Sequence, residues 1–211
     1  MNKANLPEKT IERLSEYRRT LLNCLVKGKT YIYSHELAGL HNITAVQVRR
    51  DIMLIGYSSM KKKGYNVQEL INVIGSIVDY EAGLNVAVIG MGNLGRAITA
   101  YFNGKRPKLN IVAAFDVDPN KINRVISGVN CYHMKELPEV IERSDISIAI
   151  ISSPPDTANQ VAEQLVAVGI KGILNFTTVP LAVPENVYLE EYDMITSMEK
   201  VAYFVKQAYS R

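Results

Sequence analysis

Val86-Ala87-Val88-Ile89-Gly90-Met91-Gly92-Asn93-Leu94-Gly95-Arg96 limits most strongly what this chain can fold into. It reads as an apolar strand, a glycine turn and the first turn of a helix. Gly90, Gly92 and Gly95 fit G-x-G-x-x-G, with Met91, Asn93 and Leu94 between them. In that pattern the first glycine permits the tight turn. The second lets the backbone approach a pyrophosphate, and the third lets helix and strand pack closely. The N–H groups that open the helix would hold the anion.

The chain around this turn alternates strand and helix. Strands are expected at 84–89, 109–116, 146–151 and 172–176, and helices near 94–103, 119–126, 136–143 and 157–168. The strands are nearly all apolar, as in Ile146 to Ile151, which suits a parallel sheet covered on both faces. The expected fold is therefore α/β, a Rossmann-like doubly wound parallel sheet.

Asp116 ends the second strand, 21 residues after Gly95. Its carboxylate is placed to accept hydrogen bonds from ribose hydroxyls. Val117 and Asp118 follow it, and no arginine comes directly after, so NAD(H) is favoured over NADP(H). Asp118-Pro119 also looks like a helix start, which leaves Asp116 a second reading as a helix cap. Ligands of open α/β sheets sit beyond the carboxyl ends of the strands. Ser153 and Pro154 stand at one further strand end, Asn175 and Thr177 at another. They either face the cofactor or serve as ordinary turn residues.

A hydride-transfer enzyme needs an acid or base beside the nicotinamide. The only histidines are His35, His41 and His133, and no catalytic or metal-binding constellation is legible. A small NAD-dependent dehydrogenase with a basic helical cap stays as an alternative. So does a module like the CoA-binding domains of acyl-CoA ligases.

Charge divides the chain. Residues 1–63 hold twelve Lys/Arg against five Asp/Glu, a net of +7, and residues 64–211 hold twelve against sixteen, a net of −4. A nucleic-acid-binding head on an acidic body has this look, as does a plain solvated basic face. Residues 8–26 read as a helix with Ile11, Leu14, Leu21, Leu22 and Leu25 on one face, ended by Gly28. Ser34 is expected to cap a short helix from Glu36 to Leu40. Thr44 and Gln47 form a T-x-x-Q capping box opening a third helix to about Ile55. Its Gln47 and Arg50 point away from Ala45, Val48, Ile52 and Ile55, with Arg49 on the flank. Two short helices with a tight turn, the second carrying Gln and Arg outward, read as a helix-turn-helix in which Thr44, Gln47, Arg49 and Arg50 would meet DNA. The stretch from Gly56 to Tyr65 suits a β-wing whose Lys61, Lys62 and Lys63 touch phosphates, or an exposed hairpin. Asn66 and Glu69 then open a helix from Val67 to about Tyr80, placing a domain boundary near residue 80.

At 211 residues and 47% apolar composition the chain can bury a sizeable core. It has no apolar run of membrane-spanning length and no signal peptide pattern. Cys24 and Cys131 are far apart and fit two small buried hydrophobes better than a redox pair, so a cytoplasmic setting is expected. The last helix, about Met194 to Tyr209, carries Met194, Met198, Val201, Val205 and Ala208 on one stripe. It either packs on its own sheet or pairs with a second subunit, which would give a two-fold homodimer.

Thr44-Ala45-Val46-Gln47-Val48-Arg49-Arg50-Asp51, Gly90 to Ala97, Phe115-Asp116-Val117-Asp118-Pro119 and Ala167 to Phe176 together resemble the Rex family of redox-sensing repressors across almost the whole chain. The resemblance implies a winged helix at 1–80, an NAD(H)-binding Rossmann domain at 81–192 and a dimerisation helix at 193–211. It implies a homodimer on palindromic double-stranded operator DNA, released when NADH binds and permitted to bind with NAD⁺. It also implies that Arg19, Tyr101 and Asp193 exchange contacts during the switch, and that Tyr203 or Phe204 approaches the partner's nicotinamide. One departure stands out. The family's wing usually reads Gly-Lys-Arg-Gly-Val-Gly-Tyr, where this chain has Ser59-Met60-Lys61-Lys62-Lys63-Gly64-Tyr65. The charge survives and two glycines are lost, which bears on how the wing enters the minor groove.

Overall fold

The computed structural model describes residues 6–58, 64–102 and 108–209. Packing divides the chain into two compact units, Met1–Glu81 and Ala82–Arg211.

The first unit contains α1 (Glu8–Val26), β1 (Tyr31–Ile32), α2 (Ser34–His41), α3 (Ala45–Leu54), β2 (Tyr65–Asn66) and α4 (Val67–Val78). The buried stripe of α1 is Thr10, Leu14, Tyr17 and Leu21, at steps of four, three and four. Leu22 and Leu25, expected on that face, lie off the stripe and are exposed. Leu14, Tyr17 and Leu21 meet Leu37 of α2, Val48 and Ile52 of α3, and Leu70 and Ile74 of α4 in one core. The antiparallel pair Tyr31↔Asn66 and Ile32↔Tyr65 ties the segment before α2 to the start of α4.

Local capping explains these boundaries and corrects two expectations. The α2 cap is Tyr33, not Ser34: Glu36 reaches back to accept from the Tyr33 N–H at 2.8 Å. Ser34 is the first helical residue. Asn42, at φ 53°, turns the chain into α3. There the Thr44 hydroxyl accepts from the Gln47 N–H at 3.2 Å, but the Gln47 side chain does not complete a box; it donates to Asp51 at 2.8 Å. Asn66 caps α4 through the Glu69 N–H, and α4 ends at Val78.

The second unit is a doubly wound α/β fold. Its elements are β3 (Leu84–Ile89), α5 (Asn93–Phe102), β4 (Leu109–Asp116), β5 (Arg124–Ile126), β6 (Val129–His133), α6 (Leu137–Arg143), β7 (Ile146–Ile151), α7 (Ala158–Ala167), β8 (Gly172–Asn175), β9 (Tyr188–Glu191) and α8 (Met194–Tyr209). The strand order is β5-β6-β4-β3-β7-β8-β9, parallel except for β5 against β6. Chain order therefore reverses at β3, where the first crossover runs to one side and the later one to the other. Alternate residues of β3 feed two cores, Ala87 and Ile89 on one face and Val86 and Val88 on the other. That is why the strands read as unbroken apolar runs.

The expected helix at 119–126 is absent. Asp118-Pro119 starts only a turn, in which the Asp118 carboxylate accepts from the Asn120 N–H at 2.9 Å. Asn123 then takes φ 59°, which ends any helix, and Arg124-Val125-Ile126 pairs antiparallel with β6 across the Ser127-Gly128 turn. Two β-branched residues beside a turn with positive φ favour a hairpin over a helix. Both cysteines are free, Cys131 buried and Cys24 half-buried. No helix among the described residues is long and apolar enough to cross a membrane.

Candidate functional site

A cavity of about 690 Å³ opens at the carboxyl ends of β3, β4 and β7, the place where the sheet reverses its strand order. Open α/β sheets bind ligands there, and the volume suits one. Gly90, Gly92, Asn93 and Leu94 form one wall, Asp116, Val117 and Asp118 a second, and Ser153 and Pro154 a third.

The three glycines do different jobs. Gly90 takes φ 92°, and a Cβ there would lie 2.8 Å from the Ser153 nitrogen. A Cβ on Gly95 would strike the carbonyl of Gly90 and approach the Ser152 hydroxyl within 2.9 Å, so this position fixes how closely α5 packs on β3. A Cβ on Gly92 would meet nothing within 4 Å, because Gly92 faces the open cavity. Met91 lies between them with its side chain fully buried in the sheet core and away from the cavity lining.

Asp116 is nearly buried at the end of β4. Its Oδ2 accepts from the Met91 N–H at 2.8 Å and from Lys121 at 2.9 Å; its Oδ1 accepts from the N–H groups of Val117 at 2.8 Å and Asp118 at 2.9 Å. Burial pushes this carboxyl up, but those hydrogen bonds and the Lys121 charge outweigh it and hold the group below the usual carboxylate range. Asp116 is therefore an anchor of the glycine turn and not the helix cap that Asp118-Pro119 suggested. Lys121 was not legible as a site residue; the signal was a lysine five positions after Asp116 on the same turn.

The buried Ser153 hydroxyl has no hydrogen-bond partner among the described residues, and Ser153 lines the cavity. A buried hydroxyl without a partner is uncommon, and a polar ligand in the cavity would supply one. With the open face at Gly92 and the N-terminus of α5, the residues present fit a dinucleotide. Asn175 and Thr177 are not brought to the cavity. Asn175 is 1% exposed, accepts from the Thr177 N–H and hydroxyl at 2.9 and 2.8 Å, and donates to the Val179 carbonyl at 2.9 Å. These bonds hold the turn after β8. No histidine lines the cavity: His35 stacks on Tyr33, His41 bonds Thr20, and His133 accepts from the Lys135 N–H.

In the first unit, α3 exposes Val46, Arg49, Arg50 and Met53, four residues at one helical face. Arg49 donates to the Ser34 hydroxyl at 3.2 Å, which links the two helices of the turn. Thr44 is exposed at the α3 cap. Gln47 is half-buried and turned toward Asp51, so it is less outward than its spacing suggested. Asp51, whose side chain is fully buried, was missed because an acidic residue next to two arginines reads as surface. Lys61, Lys62 and Lys63 lie outside the described residues.

Arg19 is exposed on α1 and Tyr101 on α5. Asp193 caps α8: it accepts from the Ile195 N–H at 2.8 Å and the Thr196 hydroxyl at 2.6 Å, and the bond from Thr196, then that from Ile195, lowers its pKa. Along α8 no residue is buried; Met194, Met198, Val201, Tyr203, Phe204 and Val205 are all exposed.

Comparison with known proteins follows this division. Residues 5–52 match a family described as "putative DNA-binding protein N-terminus", and residues 81–179 one described as "CoA binding domain". Over nearly the full length, the chain is 35% identical to the redox-sensing transcriptional repressor Rex of Bacillus licheniformis, covering 98% of this chain and 96% of that protein. It is 37% identical to Rex of Anoxybacillus flavithermus, covering 95% and 94%. This chain belongs to the Rex family of redox-sensing transcriptional repressors. The relatives matched over nearly the full chain are transcriptional regulators by name. A crystal structure of RSP, a Rex-family repressor, superposes with a TM-score of 0.86 at 33% identity over 97% of this chain and 95% of RSP. RSP in complex with NAD⁺ and operator DNA gives 0.89 at 33% identity, over 97% and 94%.

Proposed function

We propose that this Rex-family chain is a repressor that binds operator DNA through its first unit and is released when NADH enters the cavity of the second. The observation that carries the reading is the conjunction, in one chain, of an arginine-bearing helix-turn-helix and a glycine-turn cavity at the reversal of a parallel sheet. The relative RSP has been solved with NADH, and with NAD⁺ and operator DNA, which supports the same two ligands here.

Thr44, Arg49 and Arg50 on α3 would meet the DNA, Gln47 from the flank, and Lys61 to Lys63 would add phosphate contacts. The pyrophosphate would lie over Gly90, Gly92, Asn93 and Leu94, and the adenosine ribose would lie at the corner of Asp116, Val117 and Asp118. Ser153 and Pro154 would face the rest of the dinucleotide. NAD(H) supplies no reaction in this role; it is bound and released unchanged. The roles follow the divisions 1–80 for DNA, 81–192 for cofactor and 193–211 for dimerisation.

The uncovered apolar face of α8 supports a homodimer, and a two-fold dimer suits a palindromic operator. Arg19, Tyr101, Asp193, Tyr203 and Phe204 are the residues through which the cofactor site would bias the heads. A cytoplasmic setting follows from that task. If NADH favours the released state by about 100-fold, the coupling is roughly 2.7 kcal/mol. A mobility-shift titration at fixed salt tests this: NADH should release operator DNA at concentrations where NAD⁺ does not. Operator affinity that ignores both nucleotides rejects the sensor reading.

A further inference from the structure

The corner of the cavity formed by Asp116 and Asp118 also holds a cation. Lys121 Nζ lies 2.9 Å from Asp116 Oδ2 and 3.7 Å from Asp118 Oδ2, and all three residues line the cavity. A carboxylate offers about four acceptor sites. Those of Asp116 are engaged by the N–H groups of Met91, Val117 and Asp118 and by Lys121. Asp116 is therefore committed first to the protein's own backbone. A ribose reaching this corner meets a row of acid, ammonium and acid with one net negative charge, not two bare carboxylates.

We infer that Lys121 tempers the discrimination between a ribose 2′-hydroxyl and a 2′-phosphate that Asp116 and Asp118 create. An ammonium carries three donors, and one of them is directed at Asp116. The others are suited to a ribose oxygen, and the charge offsets the repulsion that Asp116 and Asp118 would direct at a phosphate. The lysine thus moderates a preference that the two aspartates alone would make steep. This inference rests on the reading of the cavity as an NAD(H) site.

Direct calorimetric titration of the full chain with NADH and with NADPH tests it. Lys121→Met keeps the apolar stem and removes the charge; the ratio of NADPH to NADH dissociation constants should rise about tenfold or more. Lys121→Arg keeps the charge and adds a bidentate phosphate donor, so that ratio should not rise and should fall below its wild-type value. Asp118→Asn removes the more exposed carboxylate and should move the ratio the other way, by a comparable factor, with the Asp116 anchor intact. Lys121→Gln removes the charge while keeping a polar side chain, and it carries the same expectation if Lys121→Met folds poorly. A ratio that is unmoved or lowered when the Lys121 charge is removed overturns the inference. A wild-type chain that binds neither nucleotide overturns the NAD(H) reading itself, which is a different result from binding with unmoved ratios.

Discussion

Arg13 and Asp51, 38 positions apart, are joined by two hydrogen bonds, Nε to Oδ2 at 2.7 Å and Nη2 to Oδ1 at 2.8 Å. Tyr17 donates to the same carboxylate at 2.9 Å and Gln47 at 2.8 Å. One buried acid thus fastens α3, the helix that carries Arg49 and Arg50, to α1. Asp51→Ala would strand these donors, and removing one partner of a buried pair costs about 3–5 kcal/mol. Urea unfolding of the full chain should shift by that order, with operator affinity falling alongside. Burial raises the Asp51 pKa, but the bonds from Arg13, Tyr17 and Gln47 outweigh it and leave the group low. A depressed carboxyl stabilises the fold above its unfolded value of about 3.9 and loses that contribution as pH falls through its folded value. Acid unfolding of the first unit should therefore begin below about pH 4, and Asp51→Asn should flatten that part of the profile.

Gly92 and Gly95 should respond differently to one added methyl group. Gly95→Ala drives Cβ into the Gly90 carbonyl and should destabilise the second unit by about 1–3 kcal/mol. Gly92→Ala should leave the melting temperature unchanged, because its methyl meets no protein atom within 4 Å. It should still lower NADH affinity, since that methyl stands in the cavity. Calorimetric melting beside NADH fluorescence titration separates the two effects.

Arg50 is exposed on the outer face of α3. Arg50→Ala should weaken operator binding by about 1–3 kcal/mol and leave NADH titration unchanged. A mobility shift as tight as wild type would remove Arg50 from the interface.

Cys131 is buried, and burial first, then the Asp116 charge, pushes its thiol up to about 11. Iodoacetamide at pH 8 should label Cys24 in the native chain and reach Cys131 only in denaturant. Mass spectrometry reads both sites. Rapid native labelling of Cys131 would mean that the β5–β6 end of the sheet opens readily.

The glycine turn, the β3–β4–β7–β8 core strands and the ends of α1 and α3 were legible because each depends on neighbours in sequence: apolar runs, a threonine cap at Thr44, a positive-φ glycine. The hairpin at 124–133 was hidden behind Asp118-Pro119, which opens a turn as readily as a helix. What stops the helix is the backbone at Asn123, and the pattern that marks the hairpin, Val125-Ile126 before Ser127-Gly128, lies several residues beyond it. Lys121 and Asp51 were hidden for another reason. Each is a residue type that reads as surface, yet Lys121 is drawn onto Asp116 at the cavity and Asp51 is closed in by Arg13, 38 positions away. Asn175 and Thr177 stand at a strand end, as the rule for such sheets requires, yet their polar groups are used up in holding the turn that follows.

Three backbone N–H groups, from Met91, Val117 and Asp118, converge on the Asp116 carboxylate. The shape of the glycine turn is thus maintained by folding itself. A nucleotide arriving there would have little chain to order, so its association should be fast and nearly free of conformational entropy loss at this end of the cavity. A slow or costly step in the response would then have to lie outside the loop that first meets the nucleotide.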